Sequence, residues 1–186
     1  MRKYVYYAES ELDMKKKKHH RIENSIYLIL FLAAILILAI AYFFPFVRVS
    51  GNGMSPSLEE GDILILNRVK DGNYGDICAF KWNDKILLRR IIAKPGDIVS
   101  IDFNGRVSVN GVMIEENYVS QYDIGKCNIS FPYDVPSNTY FVLGDNRVSV
   151  LDSRNKKIGC INKNDLIGIV KFRIWPFKKI EILDLD

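Results

Sequence analysis

Residues 25–47, SIYLILFLAAILILAIAYFFPFV, form an uncharged apolar run, and no other feature limits the fold of this chain so tightly. As a helix at about 1.5 Å per residue the run reaches roughly 34 Å, enough to cross a bilayer core. Tyr42, Phe43, Phe44 and Phe46 crowd its far end, as an interfacial aromatic belt does. A buried core helix is the competing reading, but it would have to be apolar all round with no polar stripe. A cleaved targeting segment is disfavoured because the apolar stretch is too long and no small-x-small site follows it. Lys15, Lys16, Lys17, Lys18 and Arg21 lie just before the run. The positive-inside rule then predicts residues 1–24 as a cytoplasmic basic segment, 25–47 as a single-pass membrane anchor and 48–186 as an extracellular domain.

Most of the formal charge of +4 sits in that basic cluster, where it suits an anionic membrane surface. Outside it, acidic and basic residues alternate without a stripe, so nucleic acid is not an expected partner. The cysteines Cys78, Cys127 and Cys160 are irregularly spaced and form no C-x-x-C. Ile77, Ala79 and Phe80 around Cys78 favour a buried thiol, whereas a Cys127–Cys160 bridge is left open. No cluster has zinc spacing, and neither metal nor cofactor is expected. Asn128-Ile129-Ser130 fits a glycosylation sequon, which carries weight only in a eukaryotic secretory route.

After the anchor the pattern switches to short β-type runs broken by turn residues. Ile63–Leu66, Ile77–Phe80, Ile86–Ile92, Tyr140–Leu143 and Ile167–Ile174 read as strands. Ile98–Phe103 and Arg106–Val109 read as a hairpin about Asn104-Gly105, with Asn110-Gly111 opening the next turn before Val112–Ile114. Residues 117–138 are less regular and predict an excursion, with room for a short hairpin. The class is mostly β, an antiparallel domain of many short strands after one N-terminal helix.

Six stretches share a further pattern. Val49-Ser50-Gly51-Asn52-Gly53-Met54-Ser55-Pro56-Ser57-Leu58 comes first. Gly61-Asp62-Ile63 to Arg68-Val69 and Tyr74-Gly75-Asp76-Ile77 to Phe80-Lys81 follow. Next is Arg89-Arg90-Ile91-Ile92-Ala93-Lys94-Pro95-Gly96-Asp97. Then come Gly144-Asp145-Asn146-Arg147 with Asp152-Ser153-Arg154, and Lys171-Phe172-Arg173-Ile174-Trp175-Pro176-Phe177. In order and content these resemble the boxes of the type I signal peptidases, which cleave secretory leader peptides with a Ser–Lys pair on a β domain.

The resemblance implies a nucleophilic serine at Gly53, a general-base lysine at Arg89 and an orienting serine at Val150. Glycine has no side chain to attack with, a guanidinium with pKa above about 12 is no base near neutrality, and valine cannot orient a lysine. Ser50, Ser55 and Ser57 are nearby, but a shift of two residues moves a hydroxyl by about 5–7 Å, against the roughly 3 Å that a dyad requires. His19 and His20 lie before the anchor and supply no imidazole to the external domain. Lys94 falls in a turn, where a solvated charge is expected.

The other matched positions read as framework. Gly51, Met54 and Pro56 shape the cleft loop, with Met54 and Pro56 at its floor. Gly96 and Gly144 permit tight turns, and Asp145 with Asn146 caps one. The resemblance implies that Arg147, Asp152 and Arg154 form an ion-pair network holding the last box in place, and that Arg90 and Ser153 are further groove or framework positions. The resemblance extends to Gram-positive signal-peptidase-like proteins that lack the catalytic pair and assist sortase-dependent pilus assembly. It implies a non-proteolytic membrane accessory factor or chaperone whose partners are extended peptide segments, pilin subunits and sortase. Two alternatives stay open: an active peptidase with an altered dyad, and a regulatory partner of an active signal peptidase.

Overall fold

The computed structural model describes residues 2–68, 71–148 and 151–183, with side chains described from Ile22 onward. The chain divides after Phe43 into an N-terminal helical unit and a β unit. Helix α1 runs Arg2–Phe43, and its Ile22–Phe43 part is long and apolar enough to cross a membrane. Side chains from Asn24 to Phe44 are exposed, which excludes the buried core helix and fits a membrane anchor. The expected run to residue 47 is too long by four. Phe44 precedes Pro45, and a residue before proline is driven out of the α region, so the helix stops at Phe43. Phe46 and Val47 belong instead to strand β1 (Phe46–Arg48), and Val47 is buried in the β core.

The remaining strands are β2 (Ile63–Asn67), β3 (Ile77–Trp82), β4 (Lys85–Ala93), β5 (Ile98–Ile101), β6 (Val107–Val109) and β7 (Val112–Met113). They continue with β8 (Tyr133–Asp134), β9 (Thr139–Leu143), β10 (Ile161–Asn162), β11 (Leu166–Trp175) and β12 (Glu181–Ile182). The large sheet has the order β1-β2-β11-β3-β4-β9-β10, with β12 added to β11, and the small one has the order β7-β6-β5-β8. Every described pairing is antiparallel. The β6–β7 turn shows why its sequence was readable. Asn110 and Gly111 have φ of 53° and 79°, the two positive values that a type I′ hairpin demands.

Apolar residues of β9 and the second half of β4 are buried throughout, so this part of the sheet is covered on both faces. One core lies under β1, β2 and the 49–58 loop, with Val49, Met54, Leu58, Leu64 and Leu66. Another packs the small sheet against β9 through Val99, Val107, Phe141 and Leu143. Residues 117–138 hold no internal hairpin; their single strand, β8, pairs with β5. Sequence pattern missed β1, β8, β10 and β12, all two or three residues long and too short for alternation to register. All three cysteines are free thiols, and burial pushes that of Cys78 up to about 12.

Buried ion pairs hold the loops to this scaffold. The Arg147 guanidinium meets the Glu116 carboxylate with both side chains almost fully enclosed, joining the last box to the start of the excursion. Glu116→Gln leaves that guanidinium buried without a counter-charge, at an expected cost of about 3–5 kcal/mol. Urea unfolding of the detergent-solubilised chain reads this as a lowered midpoint; an unchanged midpoint contradicts it.

Candidate functional site

The 49–58 loop is tied down before it reaches Gly53. Val49 donates to the Asp62 carbonyl at 2.8 Å and accepts from Gly61 at 3.0 Å, which extends the β1–β2 pairing. Beyond Gly53, Ser55 donates to Asn52 and Leu58 to Met54, giving compact turns pinned by the buried Met54 and Leu58 side chains. From the other side, the Asn146 main chain donates to the Gly53 carbonyl and its Nδ2 to the Asn52 carbonyl, each at 3.2 Å. Gly144 must also be glycine here, because a Cβ would lie 2.6 Å from the Gly53 carbonyl oxygen. Close approach, not the expected turn conformation, is the reason. Gly96, at φ 88°, does fit the turn reading, and Gly51 takes φ 76° in the loop.

Arg89 reaches this point from β4, with only 5% of its surface exposed. A Cβ on Gly53 would lie 2.8 Å from Arg89 Nη1, 3.0 Å from Nη2 and 3.1 Å from Cζ. The guanidinium therefore fills the space that any side chain at position 53 needs. Its Nε donates to the Leu151 carbonyl at 2.8 Å and its Nη1 to the Leu88 carbonyl at 2.5 Å. Burial lowers the pKa of the group from its ordinary value.

No carboxylate among the described residues pairs with Arg89, because the neighbouring ones are already taken. Asp152 accepts from Arg154 Nε and Nη2 at 3.0 and 2.7 Å and from the Gly144 main chain at 3.2 Å. Asp145 accepts from Arg90 Nε and Nη2 at 2.8 and 2.5 Å, and Arg90 also lies over the Tyr118 ring. Arg89 thus lines a cavity of about 640 Å³ as an unpaired cation, together with Asn52, Gly53, Asp84, Lys85 and Leu151.

The framework expectations need three corrections. Arg147 does not join Asp152 and Arg154; it pairs with Glu116 and donates Nε to the Gly144 carbonyl. Asp145 serves as the counter-ion of Arg90 rather than as a turn cap, whereas Asn146 Oδ1 does accept from Val148. Pro56 is exposed and does not line the cavity, although Met54 does. Ser153 acts structurally, exchanging bonds with Val142 through its Oγ and its main chain. Val150 lies outside the described residues.

Of the nearby hydroxyls, Ser50 lines the cavity and Ser57 Oγ accepts from Arg90 at 3.3 Å. Lys94 lies elsewhere, bonded to Asn73 and placed over the Tyr74 ring. No group of three or more metal-ligating side chains occurs among the described residues. Sequence reading missed Glu116, Lys85 and the Leu88 and Leu151 carbonyls. Lys85 was within reach, since it lies four residues before Arg89 on one strand and so on the same face. A carbonyl's use, by contrast, leaves no mark on residue type.

The chain matches the model of the signal peptidase, peptidase S26, family over residues 22–175. Signal peptidase I U of Bacillus subtilis is 30% identical, over 89% of this chain and 94% of its own length. Signal peptidase I of Bacillus caldolyticus is 35% identical, over 70% of this chain and 79% of its own. A signal peptidase I crystal structure from Enterococcus faecalis has 26% identity and a TM-score of 0.45, covering 54% of this chain and 97% of that one.

The contact between positions 53 and 89 is directly testable. Gly53→Ser displaces the guanidinium from its two carbonyls and is expected to cost about 1–2 kcal/mol. Combined with Arg89→Lys, whose ammonium needs less room, the cost of the serine falls. A coupling above about 0.5 kcal/mol in a double-mutant cycle of urea unfolding is expected, and additive effects contradict the contact.

Proposed function

The chain belongs to the signal peptidase S26 family, and from that premise we propose that it is a non-proteolytic member which holds extended peptide segments at the membrane during pilin assembly. The observation that carries this reading is the Arg89 guanidinium lying in the side-chain space of Gly53. In the family a serine attacks after a neutral lysine takes its proton, which needs a titratable amine within hydrogen-bond reach of a hydroxyl. Gly53 and Arg89 occupy the matching positions, and a guanidinium in a protein does not give up its proton.

Peptide binding survives the loss of that chemistry. Strand β4 pairs with β3 over Lys85–Arg90 but with β9 only over Arg90–Ala93, so its first half offers an unpaired edge to the cavity. An extended segment added there gains main-chain hydrogen bonds without a nucleophile. Lys15, Lys16, Lys17, Lys18 and Arg21, which precede the apolar part of α1, support a cytoplasmic N-terminus with the β unit outside, where pilin subunits and sortase would meet it.

A second reading, a working peptidase with a displaced dyad, is favoured only by Ser50 and Lys85 lining the same cavity. No hydrogen bond joins them. Incubation of the purified full chain with a leader-peptide substrate is expected to give no cleavage above the blank, while cross-linking in membranes captures pilin and sortase. Turnover at ordinary enzyme rates, lost in Ser50→Ala, overturns the reading.

A further inference from the structure

Resting on the reading that the cleft holds an extended peptide, we propose that Arg89 makes the cleft selective for a peptide that presents a carboxylate beside Gly53. The first support is the state of the guanidinium. Its Nε and Nη1 are committed to the Leu151 and Leu88 carbonyls, and Nη2 has no hydrogen-bond partner among the described residues. No fully enclosed side-chain nitrogen or oxygen in the described chain lacks a partner, so Nη2 must open to the cavity. Of the five N–H groups of an arginine, three remain for a ligand, and the adjacent Nη1 and Nη2 fit the two oxygens of one carboxylate.

The second support is which main-chain group the arginine removes. Ile91 exchanges bonds with Gly75 and Asp76 on the β3 side. By strand alternation Leu88 therefore points its N–H and carbonyl the other way, toward the unpaired edge. An incoming strand would donate to that carbonyl, but Arg89 Nη1 already does so at 2.5 Å. The guanidinium adds N–H donors to the edge at this point, so a ligand that brings an acceptor there gains most.

Charge decides what kind of acceptor. The carboxylates close to Arg89, Asp145 and Asp152, are each chelated by another arginine and cannot swing over without exposing a buried cation. The cavity wall adds the exposed Arg48 and Lys85 against a single carboxylate, Asp84. Burial has stripped Arg89 of part of its hydration, as its lowered pKa reflects, and the nearby Asp152 and Asp145 charges offset that loss only in part, leaving the compensation incomplete. A ligand carboxylate supplies that compensation; a neutral amide oxygen does not. The carboxylate comes either from an aspartate or glutamate side chain or from a free C-terminus.

The test uses the full chain in detergent micelles and fluorescence anisotropy with three sets of five-residue alanine–valine peptides labelled at the N-terminus. One is capped and neutral, one is capped with a single aspartate moved through the five positions, and one ends in a free carboxylate. At least one carboxylate peptide is expected to bind about tenfold tighter than the neutral one, an advantage that falls with added salt. Which set shows it identifies side chain or terminus. Arg89→Gln removes the preference, bringing carboxylate and neutral peptides to equal affinity, and Arg89→Lys keeps part of it because a point charge cannot grip both oxygens. Equal binding of all sets to the unaltered chain overturns the carboxylate assignment and leaves the peptide cleft standing. Binding of no set overturns the peptide cleft itself, and this assignment with it.

Discussion

The guanidinium of Arg89 fills the side-chain space beside the bare backbone of Gly53, so a side chain at position 53 requires that guanidinium to move. A Cβ at position 53 would come within 3.1 Å of three guanidinium atoms. The arginine in turn has reached its position by trading water for two main-chain carbonyls, a neutral solvation that holds it without cancelling its charge. Gly53 and Arg89 thus form one structural feature seen at two places. A serine–lysine pair needs room between its groups for a substrate carbonyl, whereas here the space between the loop and β4 is filled by a fixed cation.

The rest of the scaffold keeps this cation unpaired. Three arginines of the β unit, Arg90, Arg147 and Arg154, are each matched to one buried carboxylate, Asp145, Glu116 and Asp152. Breaking such a match leaves an uncompensated charge in a low-dielectric interior, so the carboxylates cannot migrate to Arg89. These pairs also fix the loops that carry Asn146 and Gly144 onto the Gly53 carbonyl. Stability of the framework and availability of the Arg89 charge follow from the same set of contacts.

The sequence revealed the strands wherever turn chemistry and alternation agreed, as at Asn110-Gly111 and in the β2 run Ile63–Asn67. It revealed Gly53 and Arg89 because both stand inside recognisable boxes, but it treated them as separate positions. Their contact depends on how far β4 approaches the loop, a distance set by packing of Met54 and Leu58 that no local pattern encodes. The end of the anchor was misplaced because apolarity does not separate a spanning helix from a short buried strand; Pro45 was the signal that did. Glu116 escaped notice for another reason. It lies 31 residues from Arg147, and an ion pair at that separation has no periodicity to read.

The central claim is that no activated hydroxyl exists in this cleft. Intact-mass measurement of the full chain after exposure to a serine-directed acylating reagent tests it without any assumption about substrate. The account requires an unchanged mass at reagent concentrations that fully modify an active signal peptidase. A stoichiometric adduct on Ser50, Ser55 or Ser57 would show that a hydroxyl has found a base, and the non-proteolytic account would fall.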